Sequence, residues 1–367
     1  VVDPVEFADA LAVLADFSLA KRTTSGLQIH RLVQAAIRAK HRHRDQAMIG
    51  IPSPSPLATV LTLLRADAPR QILGAPQAWP RWAVLLPHVL AATGLHLASP
   101  PAEQSRGARQ TWWLMDRAGT YLQIHGRAPE GRPLLERALT LAEATYGPDH
   151  PSVAGCLNNL VSVLYDLGEL ATACPLAERA LILHQAIYGS DHPSVAISLN
   201  NLASVLYALG DLAAARPLAE QALAITEATY GPDHPSVATR LINLAAMLRD
   251  QGQPAAARPL LERALAITQS TYSPDHPSVV TPLVDLAAVL RDLGRPAAAR
   301  PLLERALAIN EVIYGRDHPR VATPLVGLAW VLHDLGQLPA ARQLLTRALA
   351  ITEPPRGQIG ESPAPRP

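Results

Sequence analysis

Cysteine is nearly missing from this sequence of 367 residues, where only Cys156 and Cys174 occur. Two thiols exclude a disulfide framework and a Cys-rich zinc site, and each is expected to be a small core residue in a reducing compartment. An excess of one charge is missing too. The formal net charge of +1 is not the strongly basic footprint of a nucleic-acid binder. No apolar run reaches the roughly 18 residues that cross a bilayer, and no basic amphipathic stretch points to a membrane surface. The first residues, Val1-Val2-Asp3-Pro4, have no charged-then-apolar leader. The expectation is a cytoplasmic chain cut from something longer, with neither nucleic acid nor membrane as partner. Lysine is confined to Lys21 and Lys40, while Arg, Ala and Pro abound, as in a GC-rich coding sequence. Neither lysine follows a glycine, so the phosphate-cradling G-x-x-x-x-G-K-[ST] is absent. Aromatics make up only 4% against 49% hydrophobic residues. A large core of Ala, Leu and Val is therefore expected, and such side chains suit closely packed helices.

What is present is repetition. Tyr146-Gly147-Pro148-Asp149-His150-Pro151 returns around Tyr188, Tyr230, Tyr272 and Tyr314, each time after 42 residues. Gly126, Gly168, Gly210, Gly252, Gly294 and Gly336 keep the same step. Each unit reads as two helices. Leu199, Leu202, Ala203 and Leu206 fall on one face of the first. Ala215, Ala219, Ala222 and Leu223 mark the inner face of the second. Gly210 stands between them, where a chain leaving a helix needs positive φ, and Asp211 follows as an N-cap. At the Asp-His-Pro step, Asp supplies a capping oxygen and Pro fits the first helical turn. Pro133, Pro175, Pro217, Pro259 and Pro301 conflict with this reading. They lie inside the second helices, and an interior proline predicts a tightened turn or a bend. Pro282 and Pro324 raise the same question in the last two first helices. A lone helix pair cannot bury its apolar face, so the pairs must stack into an elongated superhelix with a concave groove.

The pattern Val195-Ala196-x-x-Leu199-Asn200-Asn201-Leu202-Ala203, then Gly210, Ala215-Arg216-Pro217-Leu218, Ala222-Leu223 and Tyr-Gly-Pro-Asp-His-Pro resembles the tetratricopeptide repeat of kinesin light chain type. The resemblance implies a right-handed α-solenoid that binds proteins or peptides in its groove, with no catalytic residue and no cofactor. Six pairs are expected over residues 111–351, followed by a disordered tail at 352–367.

The first hundred residues do not repeat. Val5–Leu14 reads as a helix, Phe17–Lys21 and Leu27–His30 as strands of a β-hairpin, and Arg31–His41 as a basic helix. Helix, hairpin, helix is the tail of a winged-helix module. Ser18–Ala35 resembles the winged helix that follows the nucleotide-binding domain in actinobacterial NB-ARC/tetratricopeptide regulators of the STAND class. Trp79-Pro80-Arg81-Trp82 with Leu86-Pro87-His88-Val89-Leu90 resembles the segment joining that winged helix to the repeats. This predicts a partial winged-helix-like segment over 1–43 and a helical linker region over 44–110. It implies the sensor or partner-binding part of a STAND signalling NTPase whose nucleotide-binding domain is outside this chain. The family's ADP-contacting histidine would fall on His30, for which a packed strand-end role is the other reading. A free-standing adaptor is the alternative function. An enzyme is the third reading, but no Ser-His-Asp, Cys-His or paired-carboxylate arrangement stands out.

The repeat histidines His150, His192, His234, His276 and His318 do not read as metal ligands. Equivalent atoms of stacked helix pairs lie on the order of 10 Å apart, too far to converge on one ion. The groove wall is the candidate site. Residues ten, nine, six, three and two positions before each loop glycine avoid the core face. They give Asn158, Asn159, Ser162, Tyr165 and Asp166, then Asn200, Asn201, Ser204 and Tyr207, preceded by Asp116, Arg117, Thr120 and Gln123. Further along stand Asn243, Arg249 and Asp250, then Asp285, Arg291 and Asp292, then Trp330, His333 and Asp334. Amides hydrogen-bond an extended peptide backbone, while Arg, Tyr and Trp anchor it. The opposing reading is a solvated face whose Arg/Asp pairs satisfy each other.

Overall fold

The computed structural model describes residues 20–23, 26–29, 56–72 and 75–352. Strands β1 (Ala20–Thr23) and β2 (Gly26–Ile29) pair antiparallel, with Ala20 opposite Ile29 and Thr23 opposite Gly26. The ladder runs closer to the turn than expected, because Thr23 and Gly26 belong to it. The helices expected at Val5–Leu14 and Arg31–His41, the residue His30 and the tail after Thr352 lie outside the described residues. The hairpin by itself does not establish a winged helix.

The other described residues are helix or connection, and the chain divides into two compact units, Val1–Ile187 and Tyr188–Pro367. In the first stand α1 (Pro56–Asp67), α2 (Trp79–Ala98), α3 (Pro101–Ile124), α4 (Ala128–Tyr146), α5 (Pro151–Asp166) and nearly all of α6 (Leu170–Tyr188). The second holds α7 (Pro193–Ala208), α8 (Leu212–Tyr230), α9 (Pro235–Asp250), α10 (Pro254–Thr271), α11 (Val280–Asp292), α12 (Pro296–Tyr314), α13 (Ala322–Asp334) and α14 (Leu338–Thr352). In the second unit each helix packs on the next, and the first helices of successive pairs also touch, α7 on α9, α9 on α11 and α11 on α13. Helix-turn-helix repeats stacked in this way form an α-solenoid.

The helix boundaries follow from local chemistry. The first helix of a repeat opens on proline at N1, where a missing N–H costs nothing. Its cap, however, is the histidine and not the expected aspartate. His150, His192, His234, His276 and His318 each accept a backbone N–H through Nδ1, at 3.1–3.2 Å. Each ring stacks on the tyrosine four residues earlier, with centroids 4.2–4.9 Å apart. The stack fixes the imidazole so that its nitrogen points at the helix, a directional demand that a rotating carboxylate would not need. The first helices end on the loop glycine. At Gly168 (φ 73°) the glycine N–H reaches Tyr165 and the next N–H reaches Leu164, the two bonds of a Schellman cap. Asp211 does cap α8, accepting from the Ala214 N–H at 3.0 Å.

The prolines divide into two groups. Pro133, Pro175, Pro217, Pro259 and Pro301 lie within uninterrupted helices. Pro282 and Pro324 act differently. The turns Pro277–Val279 and Pro319–Val321 are 3-10, and α-helix starts only at Val280 and Ala322. A proline five residues into the helix removes an N–H and crowds the carbonyl four residues back, so the opening turn tightens. Serine and arginine hold this position in α7 and α9, Ser198 and Arg240, and those helices are α from their first proline.

Alanine lets the helices approach. Ala215, Ala219, Ala222, Ala257, Ala264, Ala299 and Ala306 are all buried in the second unit, as are Leu199, Leu202 and Ala203. In the first unit the core centres on Trp82, fully buried with Leu61, Leu64, Leu85 and Leu114, its ring stacked 6.0 Å from Tyr121. Trp79 and Trp82 donate to the carbonyls of Ile72 and Pro69, each at 3.1 Å. Cys156 is buried as expected, whereas Cys174 is only half-buried and is not a core residue.

Candidate functional site

The residues read from sequence as a groove wall all lie on the first helices of the repeats. In the first unit these are Asn158, Asn159 and Tyr165 on α5. Asn159 donates to Asp116 of α3 at 2.8 Å, and Gln123 of α3 donates to Asp166 of α5 at 2.9 Å. Asp116 is buried, with Arg117 3.0 Å away. Burial pushes its carboxyl up, against the pull of Arg117 and of hydrogen bonds from Asn159 and Cys156. Burial, with the Asp116 charge added, also pushes the Cys156 thiol up, so this cysteine is no nucleophile. Asn158 is buried, and Tyr165 keeps 38% of its surface exposed.

In the second unit the same positions form a row of bonds from one repeat to the next. Asn243 of α9 donates to Asn200 of α7 at 2.8 Å and lies 3.5 Å from the Ser204 hydroxyl, which itself donates to the Asn200 carbonyl. Tyr207 donates to Asp250 at 2.5 Å. Arg249 donates to Asp292 at 2.7 Å, and Arg291 stands 3.1 Å from Asp334. Asn200 is buried and Asn201 half-buried. The amides and arginines are thus partnered across repeats before any ligand arrives. At the far end, Trp330 is 49% exposed, with the Arg291 guanidinium 5.5 Å above its ring. His333 meets the ring edge at 6.0 Å and Asp334 at 3.4 Å.

Among the described residues of this unit, Asp285 and Arg240 form no such bond. Asp285 of α11 has its carboxyl pushed up to about 6 by burial, opposed only by the charge of Arg249. Arg240 of α9 is buried with its Nε unbonded, and burial lowers its guanidinium to about 10. Sequence reasoning missed Arg240. The signal was present, since Val237, Arg240, Leu241 and Leu244 fall at i, i+3, i+4 and i+7 on the apolar face of α9.

Sequence reasoning also missed a row of arginines on the second helices. Arg179, Arg263, Arg305 and Arg347 donate to carbonyls 31 residues earlier, on Pro148, Pro232, Pro274 and Arg316. Three of them also pair with Glu143, Glu227 and Glu311. They tie down the Tyr-Gly-Pro-Asp-His-Pro loops, and the recurring Arg-Ala after Glu or Thr was the signal. An open depression on α14, lined by Leu338, Pro339, Arg342, Gln343 and Thr346, contains none of the groove residues. Among the described residues no group of His, Cys, Asp and Glu is placed to hold a metal ion, and no helix is long and apolar enough to cross a membrane.

No curated protein sequence matches the chain. Among solved structures, it is similar to a putative kinesin light chain with nearly identical TPR-like repeats from Podospora anserina. That pair is 29% identical over 54% of this chain and 93% of the other, with a TM-score of 0.43. A Rap protein complexed with Competence and Sporulation Factor is 13% identical, over 77% of each chain, with a TM-score of 0.54. The apo quorum sensor NprR from B. thuringiensis is 12% identical over 88% of this chain and 95% of its own, with a TM-score of 0.52. The last two likenesses concern the fold alone. Tetratricopeptide repeat models match residues 113–152, 153–228, 198–270, 241–311 and 278–353, and by these matches over more than half of its length the chain belongs to the tetratricopeptide repeat family.

Proposed function

We propose that this chain is a protein-interaction scaffold that takes polypeptide along the inner faces of its first helices. The observation that carries the reading is Trp330. Its indole is half exposed on α13 between Arg291 and His333. Tryptophan and arginine are the residue types that dominate binding energy at interfaces, and here they stand together on one face. Membership of the repeat family supports it, as does the Rap protein of similar fold, which is complexed with Competence and Sporulation Factor. The row of inter-repeat bonds gives this face a preformed shape, which lowers the ordering cost of binding.

The test is retention of native-host proteins on the immobilised chain and on two variants. Trp330→Ala should lose the proteins that wild type retains. Val312→Ala, at a side chain 86% exposed on a second helix, should keep them. Equal retention by wild type and Trp330→Ala removes the inner face as the binding surface.

The finer reading is that the chain is the partner-sensing part of an NB-ARC-like STAND regulator. It is supported by the sequence likeness of residues 18–35 and 79–90. Its test is the coding sequence upstream of Val1. A phosphate-binding loop domain there supports the regulator, and its absence leaves the scaffold as a free-standing adaptor.

A further inference from the structure

We propose that the inner face of the second unit receives a polypeptide carrying a lysine or arginine side chain, and that Asp285 on α11 takes its cationic head. This rests on the scaffold reading above and gives its partner a charge.

The polar residues of this face pair by a regular step. The residue nine before a loop glycine reaches the residue ten before the preceding one, 43 positions back. Asn159 meets Asp116 in this way, and Asn243 meets Asn200. The same step from Asp285 lands on Ile242, which has no polar atom to offer. Asp285 accordingly accepts no hydrogen bond and forms no ion pair among the described residues. The one cation whose charge reaches it, Arg249, is already bonded to Asp292 at 2.7 Å. The other arginine of this face, Arg291, belongs to Asp334.

A half-buried carboxylate without donors is costly to keep. Solvent or a group from outside the fold must complete it. One turn beyond Ile242 and Asp285 stand Ala246 and Ala288, where earlier repeats carry Ser162 and Ser204. Small apolar side chains at these positions suit the methylene stem of a lysine or arginine. The charge of the face agrees. Asp250, Asp285, Asp292 and Asp334 stand against Arg249 and Arg291, an acidic surplus that attracts a basic segment and repels an acidic one.

The experiment is selection of a random dodecapeptide phage library on the full chain, repeated on Asp285→Asn and on Trp330→Ala. Wild type should enrich peptides with Lys or Arg at one fixed place in the motif. Asp285→Asn should lose that preference while keeping the flanking motif, and a synthetic wild-type consensus peptide should bind it at least about tenfold more weakly, the scale of a lost charge-assisted hydrogen bond. Enrichment without a basic residue overturns the role of Asp285, and so does a Lys or Arg preference that survives Asp285→Asn. In either case, loss of enrichment on Trp330→Ala still leaves the scaffold reading standing. No enrichment on wild type, or enrichment indifferent to both substitutions, overturns both. Asn is isosteric with Asp and removes a strained charge, so the variant folds.

Discussion

A histidine nitrogen can accept a helix N–H only while it is unprotonated. The cap at His276 therefore links this fold to pH. For His276, burial holds the imidazole below its ordinary value. The native state then binds its proton less readily than the unfolded chain, so the contribution is present above the unfolded value. It is lost as pH falls through the lower folded one. The urea midpoint should fall between pH 7.5 and pH 5, and fall less in His276→Asn, whose amide oxygen caps without titrating. At neutral pH, His234→Ala should cost about 1 kcal/mol, the usual worth of an N-cap, with His234→Asn recovering most of it. Equal urea midpoints for His234→Ala and wild type would mean that the cap contributes nothing. Asp285 has the opposite sign. Its folded value, about 6, stands above the ordinary 3.8 of an aspartate, so its contribution is present below the unfolded value and is lost as pH rises through the folded one. Asp285→Asn should melt higher than wild type at pH 7.5 and alike near pH 4, as read by calorimetry.

At the scale of the element, glycine and proline decide where helices begin and end. Gly210 has φ 87°, and a Cβ there would meet nothing within 4 Å. Any cost of Gly210→Ala is therefore backbone strain alone, on the order of 1–2 kcal/mol for a left-handed residue. Denaturant titration should show that loss, and a smaller one for Gly210→Asn. The second glycine series makes the same point. Gly231 and Gly315 hold φ 86° and 89° with ψ near 160°, a region open almost only to glycine. Where Ser273 replaces it, helix α10 stops at Thr271 and Tyr272 becomes the extended cap. Such effects were legible in the sequence, because each depends on one residue and its near neighbours. The prolines were less legible. Pro217 and Pro282 offend the same rule, yet one lies inside an uninterrupted helix and the other sets its first turn into 3-10 geometry.

Within each unit, contacts join helices that are near in sequence. Stability in such a stack is a sum of repeat terms and nearest-neighbour interfaces. Trp79, Trp82, Trp112 and Trp113 all precede the second unit, which has Trp330 alone. In Trp330→Phe, fluorescence therefore reports on the first unit, while circular dichroism reports on every helix. The two unfolding curves in urea should not coincide, whereas superimposable curves would show one cooperative block. The sequence by itself determined the helix pairs, their period and the face on which the polar row stands, since capping, turn glycines and helical periodicity are local. Only the tertiary structure decided which polar residue meets which. A repeat of 42 residues marks equivalent positions, but side-chain partners are set by a lateral step of 43. That step gives Asn243 an amide and Arg249 a carboxylate, and at the position matching Asp285 the sequence offers only Ile242.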